Sequence, residues 1–132
     1  MYYTLEGVRV EMLLTESEEF GLHQGLDLIP GKVTQIPKSS SLEYRVPLIG
    51  WAELEIDTDF PILRGMSSTE RFYFVHSFHC IPTNPAHRVL SFPIIDHDIT
   101  ALISNKNIYG AQFHPEKSSS SGLKLLSNFI NL

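Results

Sequence analysis

Between Lys32 and Phe113 the chain is a succession of short apolar-rich runs broken by turn residues, and clear helical periodicity comes only after them. Lys32 to Ile36 alternates apolar and polar positions, and Trp51 to Ile56 sets Trp51, Leu54 and Ile56 among charges, which predicts two strands. Arg71 to Cys80 is nearly all aromatic or β-branched and predicts one long strand, covered on both faces like the centre of a sheet. His87 to Ile95, Ile99 to Ile103 and Asn107 to Phe113 add further strands with Asp, Asn and Gly at their turns. Pro61 to Gly65 reads as a short helical turn, Met12-Leu13-Leu14 as a helix end or buried turn, and Leu28-Ile29-Pro30-Gly31 as a turn. At the far end Leu123, Leu125, Leu126, Phe129 and Ile130 recur at helical spacing, with one of Ser119 to Ser121 expected to cap the helix. Strands rich in aromatics closed by an amphipathic helix predict an α/β fold with the sheet as its core.

Composition narrows the function classes. A chain of 132 residues with 42 % hydrophobic residues can build one core, and two ordinary domains do not fit. Ten Lys plus Arg against fifteen Asp plus Glu give a net charge of −5, which argues against a nucleic-acid partner. No apolar run approaches the roughly 20 residues that span a bilayer, so no membrane partner is expected. The single cysteine, Cys80, excludes an internal disulfide and a multi-cysteine zinc site, and a start without basic and apolar regions suits a cytoplasmic address. The serine runs at 39–41 and 118–121 are too short to be linkers, and no repeat is present.

Candidate chemistry concentrates in Tyr109 to Ser118, where an apolar strand ends in His114-Pro115-Glu116 just before the helix. Strand ends are where open α/β sheets place their active sites. A histidine two residues before a carboxylate can have its ring oriented by that carboxylate, as a general base requires. The same letters also suit a surface histidine at a capped helix start. His76 and His79, three apart on a strand, should point to opposite faces and not share a metal ion. Cys80 lies among apolar residues and reads as a small buried hydrophobe. Trp51, the sole tryptophan, is either a sheet aromatic or an interface residue, and Lys117 is a solvated lysine or a partner contact.

Gln112-Phe113-His114-Pro115-Glu116 resembles the His/Glu signature of class I (triad) glutamine amidotransferases. The likeness runs from about Met12 to Leu132 through an ordered series of blocks. These include Glu19-Phe20-Gly21, Gly25 to Gly31, Val46-Pro47, Ile49-Gly50-Trp51, Tyr73 to Ser77, Asn107 to Ser118 and Gly122 to Leu126. More narrowly the chain is similar to glutaminase subunits of imidazole glycerol phosphate synthase or their relatives in surface-polysaccharide clusters. The resemblance implies a flavodoxin-like α/β domain with a mixed sheet flanked by helices, of which residues 1–132 are an N-terminally truncated part with 1–11 divergent. It implies hydrolysis of glutamine to glutamate and ammonia without a cofactor or metal, His114 as base, and Glu116 as its orienter. The backbone at Ser77 and Phe78 matches the segment that holds the amino-acid end of glutamine. Trp51 and Lys117 match the interface with a TIM-barrel cyclase subunit, in a heterodimer serving histidine biosynthesis.

The chain departs from the family pattern at its start. Counted without gaps from Met12, the Gly-x-Cys-x-Gly-Met-Gln elbow falls on Leu5 to Glu11, with Gly7 in the place of the nucleophilic cysteine, Arg9 in that of the second glycine and Glu11 in that of the glutamine. Glycine has no side chain to attack with, and the glycine-rich oxyanion loop is missing as well; one oxyanion donor alone is worth about 10²–10³ in rate. The chain as written is therefore expected to be inactive. Two other readings stand beside it: a non-catalytic, partner-binding pseudo-glutaminase, and the glutaminase of a surface-polysaccharide sugar amidotransferase. Without the preceding strands, one edge beside Phe72 to Phe78 is expected to lie open unless Tyr2 to Val10 folds back over it.

Overall fold

A computed structural model describes residues 10–38, 44–94 and 96–132. Gly7, and with it residues 2–9 of the expected fold-back, lies outside the described residues. Nine strands and one α-helix are found among them: β1 Glu16–Ser17, β2 His23–Gln24, β3 Gly31–Gln35, β4 Leu48–Glu55, β5 Thr69–His76, β6 Phe78–Pro82, β7 Arg88–Ile94, β8 His97–Asn105, β9 Ile108–Ala111 and α1 Ser119–Ile130. Single 3-10 turns lie at Val10–Leu13, Pro61–Leu63, Pro85–His87 and Pro115–Lys117. The strands form a mixed sheet in the order β2-β1-β3-β6, an antiparallel pair β4-β5, and an antiparallel sheet β7-β8-β9. Only β1 and β3 run parallel among the described residues.

The aromatic run is not one central strand. Ser77 breaks it: β5 pairs with β4 while β6 pairs with β3, in a different sheet. Along β5 the burial alternates, with Phe72, Phe74 and His76 inside and Arg71 and Val75 exposed. Composition made the run look two-sided because aromatic and β-branched residues favour strands wherever they sit. His76 and His79, on either side of the break, are both buried as core histidines.

The larger core joins β4, β5, β7, β8 and α1 through Leu54, Phe72, Phe74, Leu102, Phe113 and Leu125. Phe113 stacks on Phe72 at 4.2 Å and meets Phe74 at 5.7 Å in an edge contact. These aromatic pairs fix the segment after β9 against β5, each worth about 0.5–1.5 kcal/mol beyond its buried area. A second core gathers Leu13, Leu14, Ile29, Val33, Cys80 and Ile103. Gly110 lets the first 3-10 turn approach β9, since a Cβ there would lie 2.6 Å from Val10 and 2.8 Å from Leu13.

Helix α1 follows the predicted range, but its inner face differs from the apolar count. Ser121, Gly122 and Leu125 are buried, whereas Leu123 and Ile130 are exposed. Asn128 donates to the carbonyls of Ile62 and Arg64, each at 2.8 Å, so polar and small residues hold this face. The residue before the first turn is Ser118 rather than one of Ser119 to Ser121, and its hydroxyl makes no capping bond to the helix. Nor is the free edge of β5 fully open. Tyr73 donates from its N–H to Ser118 Oγ and accepts from His114 N–H, both at 3.0 Å, so residues 114–118 line that edge.

Candidate active site

The site is assembled where β9 ends. Phe113 enters the core, the next residue turns out, and Pro115 opens a 3-10 turn whose fixed φ suits a helix start. This turn carries Glu116 back under His114, and His114 Nδ1 lies 2.8 Å from Glu116 Oε1. A carboxylate only accepts, so Nδ1 carries the proton and Nε2 of the neutral ring keeps its lone pair. Both side chains are partly exposed, which leaves the ring reachable. The pair has the geometry of a histidine whose ring is oriented by a carboxylate.

Two residues earlier, Gln112 is buried and links three parts of the chain. Its Nε2 donates to Glu11 Oε1 at 3.2 Å, and its Oε1 lies 3.8 Å from Cys80 Sγ. The first 3-10 turn therefore brings Glu11 to the strand end that carries His114, across about one hundred residues of sequence. Glu11 also borders a cleft of about 360 Å³ with Ser17, Glu19, Phe20 and His23. Cys80 is fully enclosed, and burial first, then the Glu11 carboxylate, raises its thiol well above its usual range. Such a thiol stays protonated and cannot serve as a nucleophile. Thiol-labelling reagents are expected to modify Cys80 only as the chain unfolds, so labelling and unfolding rates should coincide; rapid labelling of the native protein would refute its burial.

Ser77 and Phe78 sit at the junction of β5 and β6. His76 Nδ1 donates to the Phe78 carbonyl at 2.7 Å, and Ile36 N–H to the Ser77 carbonyl at 2.9 Å, so the bend is held from both sides. Nε2 of His76 and Nδ1 of His79 are buried and find no hydrogen-bond partner among the described residues. Desolvation lowers the pKa of His76, and the proximity of His114 adds to this. His79 is lowered to about 4 by burial, with His76, Arg88 and His97 acting in the same direction. Among the described residues no cluster of His, Cys, Asp and Glu could hold a metal ion.

Trp51 lies on β4 opposite Tyr73 of β5, its ring 5.8 Å from the tyrosine, with the Arg71 guanidinium 5.7 Å above it. Ile49 and Val75 face each other two pairs further on, both exposed, so this side of the β4-β5 ribbon presents apolar surface. Lys117 closes the 3-10 turn after Glu116 and is exposed. Trp51 and Ser118 to Ser121 border a common cleft with Arg71 and Glu70. His114 and Glu116 are thus brought together, Glu11 meets Gln112 two residues before His114, and Trp51 stands apart from the pair on the β4-β5 ribbon. The residue that sequence reasoning overlooked is Ser118, whose hydroxyl bonds the backbones of both His114, four residues before it, and Tyr73, forty-five before it.

The family profile described as glutamine amidotransferase class-I matches residues 28–132. The chain belongs to this family. It is 40 % identical over 123 residues to the imidazole glycerol phosphate synthase subunit HisH of Syntrophotalea carbinolica, covering 91 % of this chain and 59 % of that protein. The subunit of the same name from Methanosarcina barkeri is 42 % identical over 123 residues, covering 92 % of this chain and 59 % of the relative. That of Chlorobaculum tepidum is 37 % identical over 120 residues, with 91 % and 58 % covered. The chain thus spans about three fifths of the length of these curated relatives. The crystal structure of a GMP synthase-type protein from Thermoplasma acidophilum superposes with a TM-score of 0.57 at 21 % identity, over 76 % of this chain and 47 % of the other. At that identity the likeness concerns the fold: a class I amidotransferase domain of mixed sheet and helix.

Proposed function

We propose that the chain carries the base and the orienting acid of a glutaminase subunit of imidazole glycerol phosphate synthase, the ammonia-donating half of a two-chain enzyme of the cytoplasm. The observation that carries this reading is the 2.8 Å contact between His114 Nδ1 and Glu116 Oε1. In a thioester route a thiolate attacks the carboxamide carbon of glutamine, the C–N bond breaks, ammonia leaves, and water then releases glutamate. His114 Nε2 takes the thiol proton and returns it to the departing nitrogen, while Glu116 stabilises the imidazolium. The bend at Ser77 and Phe78 offers its backbone to the amino-acid end of the substrate, and Glu11 borders a cleft with Ser17, Phe20 and His23.

The 132-residue chain supplies no thiolate of its own for this route. Gly7 stands at the matching position and Cys80 is buried with a raised pKa. By itself the chain therefore does not hydrolyse glutamine. The exposed ribbon face with Ile49, Trp51 and Val75, together with Lys117, serves as the docking surface for a TIM-barrel cyclase.

Mixing the chain with the cyclase subunit of an imidazole glycerol phosphate synthase tests both statements. A one-to-one complex is expected in sedimentation, Trp51→Ala should weaken it at least about tenfold, or about 1.4 kcal/mol, and no glutamate should form above the blank. Glutamate production would overturn the inactivity. Failure to associate would overturn the histidine-pathway assignment and favour a sugar amidotransferase partner. A Gly-x-Cys-x-Gly codon run in the DNA upstream of Met1, in any frame, would exclude the pseudo-glutaminase alternative.

A further inference from the structure

We propose that Ser118 is a positioning residue for His114, its hydroxyl locking the backbone of the base onto strand β5. The inference rests on the reading of His114 as the base. Ser118 is 1 % exposed, and its Oγ accepts from Tyr73 N–H at 3.0 Å while donating to the His114 carbonyl at 2.6 Å. The His114 N–H donates in turn to the Tyr73 carbonyl at 3.0 Å. Three hydrogen bonds therefore close a ring that takes up both backbone polar groups of His114 and both of Tyr73. Only a group that donates and accepts from one atom can stand between an N–H and a carbonyl, and a hydroxyl is such a group.

The hydroxyl is not used for helix capping, although Ser118 occupies the capping position of α1. With the His114 backbone fixed at N and O, only its side-chain torsions remain free, and these point the ring at Glu116 one turn away. The following residues add to the anchorage: Ser118 N–H donates to the Pro115 carbonyl at 3.0 Å, which holds the turn bearing Glu116 closed. Removing the hydroxyl leaves the Tyr73 N–H unpaired next to the core and takes from the His114 carbonyl one of its two donors, the other being the Lys117 N–H at 3.0 Å, which loosens the hold of the segment on β5. The His114–Glu116 distance then opens even though neither residue has changed.

The test reads the ring itself rather than turnover. Nitrogen chemical shifts of the His114 imidazole, recorded at pH 8 on the isotopically labelled chain, should show the Nδ1–H tautomer as the major form. Ser118→Ala is expected to shift the Nδ1–H to Nε2–H ratio at least threefold toward Nε2–H, and so is Ser118→Val. Ser118→Thr, the same shape as valine with the hydroxyl restored, should return it. An unchanged tautomer ratio in the alanine variant, or no return with threonine, would overturn the proposal. Should the hydroxyl-free variants not fold, amide exchange on the unaltered chain decides. Tyr73 N–H must exchange at least a hundredfold more slowly than an unprotected amide, and free exchange there would refute the bond to Ser118. These outcomes do not depend on cyclase binding or glutamate release, so a failure of the glutaminase reading is told apart from a failure of this one.

Discussion

Gly122→Ala is expected to destabilise the protein by about 3 kcal/mol or more, enough to lower the thermal midpoint by many degrees. A Cβ built on Gly122 lies 1.8 Å from the Pro115 carbonyl oxygen and 2.7 Å from its carbon. The obstacle is backbone, not the end of a flexible side chain, so no rotamer change relieves it. To make room, α1 must retreat from the Pro115–Lys117 turn. In retreating it withdraws Leu125, fully buried in the main core, and separates Ser121 Oγ from the Glu70 carboxylate to which it donates. The turn that places Glu116 under His114 would be disturbed at the same time. Leu123→Ala, one residue on and 67 % exposed, is the matched control and should change stability by less than about 0.5 kcal/mol. Urea titration of the two variants checks both numbers, and a Gly122→Ala protein as stable as the parent would show that helix and turn do not approach as described.

Acidification between pH 6.5 and 4 is the second large effect. His76 and His79 are buried neutral, with folded pKa values below the 6.5 of an exposed histidine, and that of His79 near 4. The unfolded chain takes up these protons first as the pH falls, so it binds more protons than the native state in this window. Stability then drops with falling pH, by up to about 1.4 kcal/mol per pH unit for each group. The contribution is fully present above pH 6.5 and is gone once His79 is protonated in both states. Arg88, His97 and His76 add to the burial in opposing a charge on His79; on His76 burial outweighs the hydrogen bond to the Phe78 carbonyl, which favours the charged ring, and His114 adds to the burial. His79→Gln should flatten the pH dependence of the urea midpoint by about one proton. A midpoint that stays constant from pH 7 to 4.5 in the parent would contradict the burial of neutral histidines.

Both effects depend on features that a linear reading reaches only in part. The positions of β3, β4, β7, β8 and α1 were legible because alternation and helical spacing report the face a residue presents to a core. The His114–Glu116 pair was legible through the motif Gln112 to Glu116 that surrounds it, since the two-residue spacing alone also suits a surface histidine. Where the pattern misled, tertiary context overrode propensity. Ser77 carries no strong turn signal, yet the chain changes sheets there. Leu123 and Ile130 fit an apolar helix face but point outward, because the helix rests on backbone through Ser121 and Gly122.

The amino-acid sequence by itself determined the class of the protein, a class I amidotransferase domain, and the pairing of a histidine with a carboxylate at the end of β9. Short-range spacing and ordered motifs carry that much, because they are encoded within a few residues of one another. Only the tertiary structure decided how the pair is held. Glu11 meets Gln112, Ser118 bridges Tyr73 to His114, and Gly122 admits the Pro115 carbonyl. Tyr73 and Ser118 are forty-five residues apart and Glu11 and Gln112 one hundred and one. Hydrogen bonds of that range depend on which strand edges the cores bring together, and no local preference in the chain specifies them.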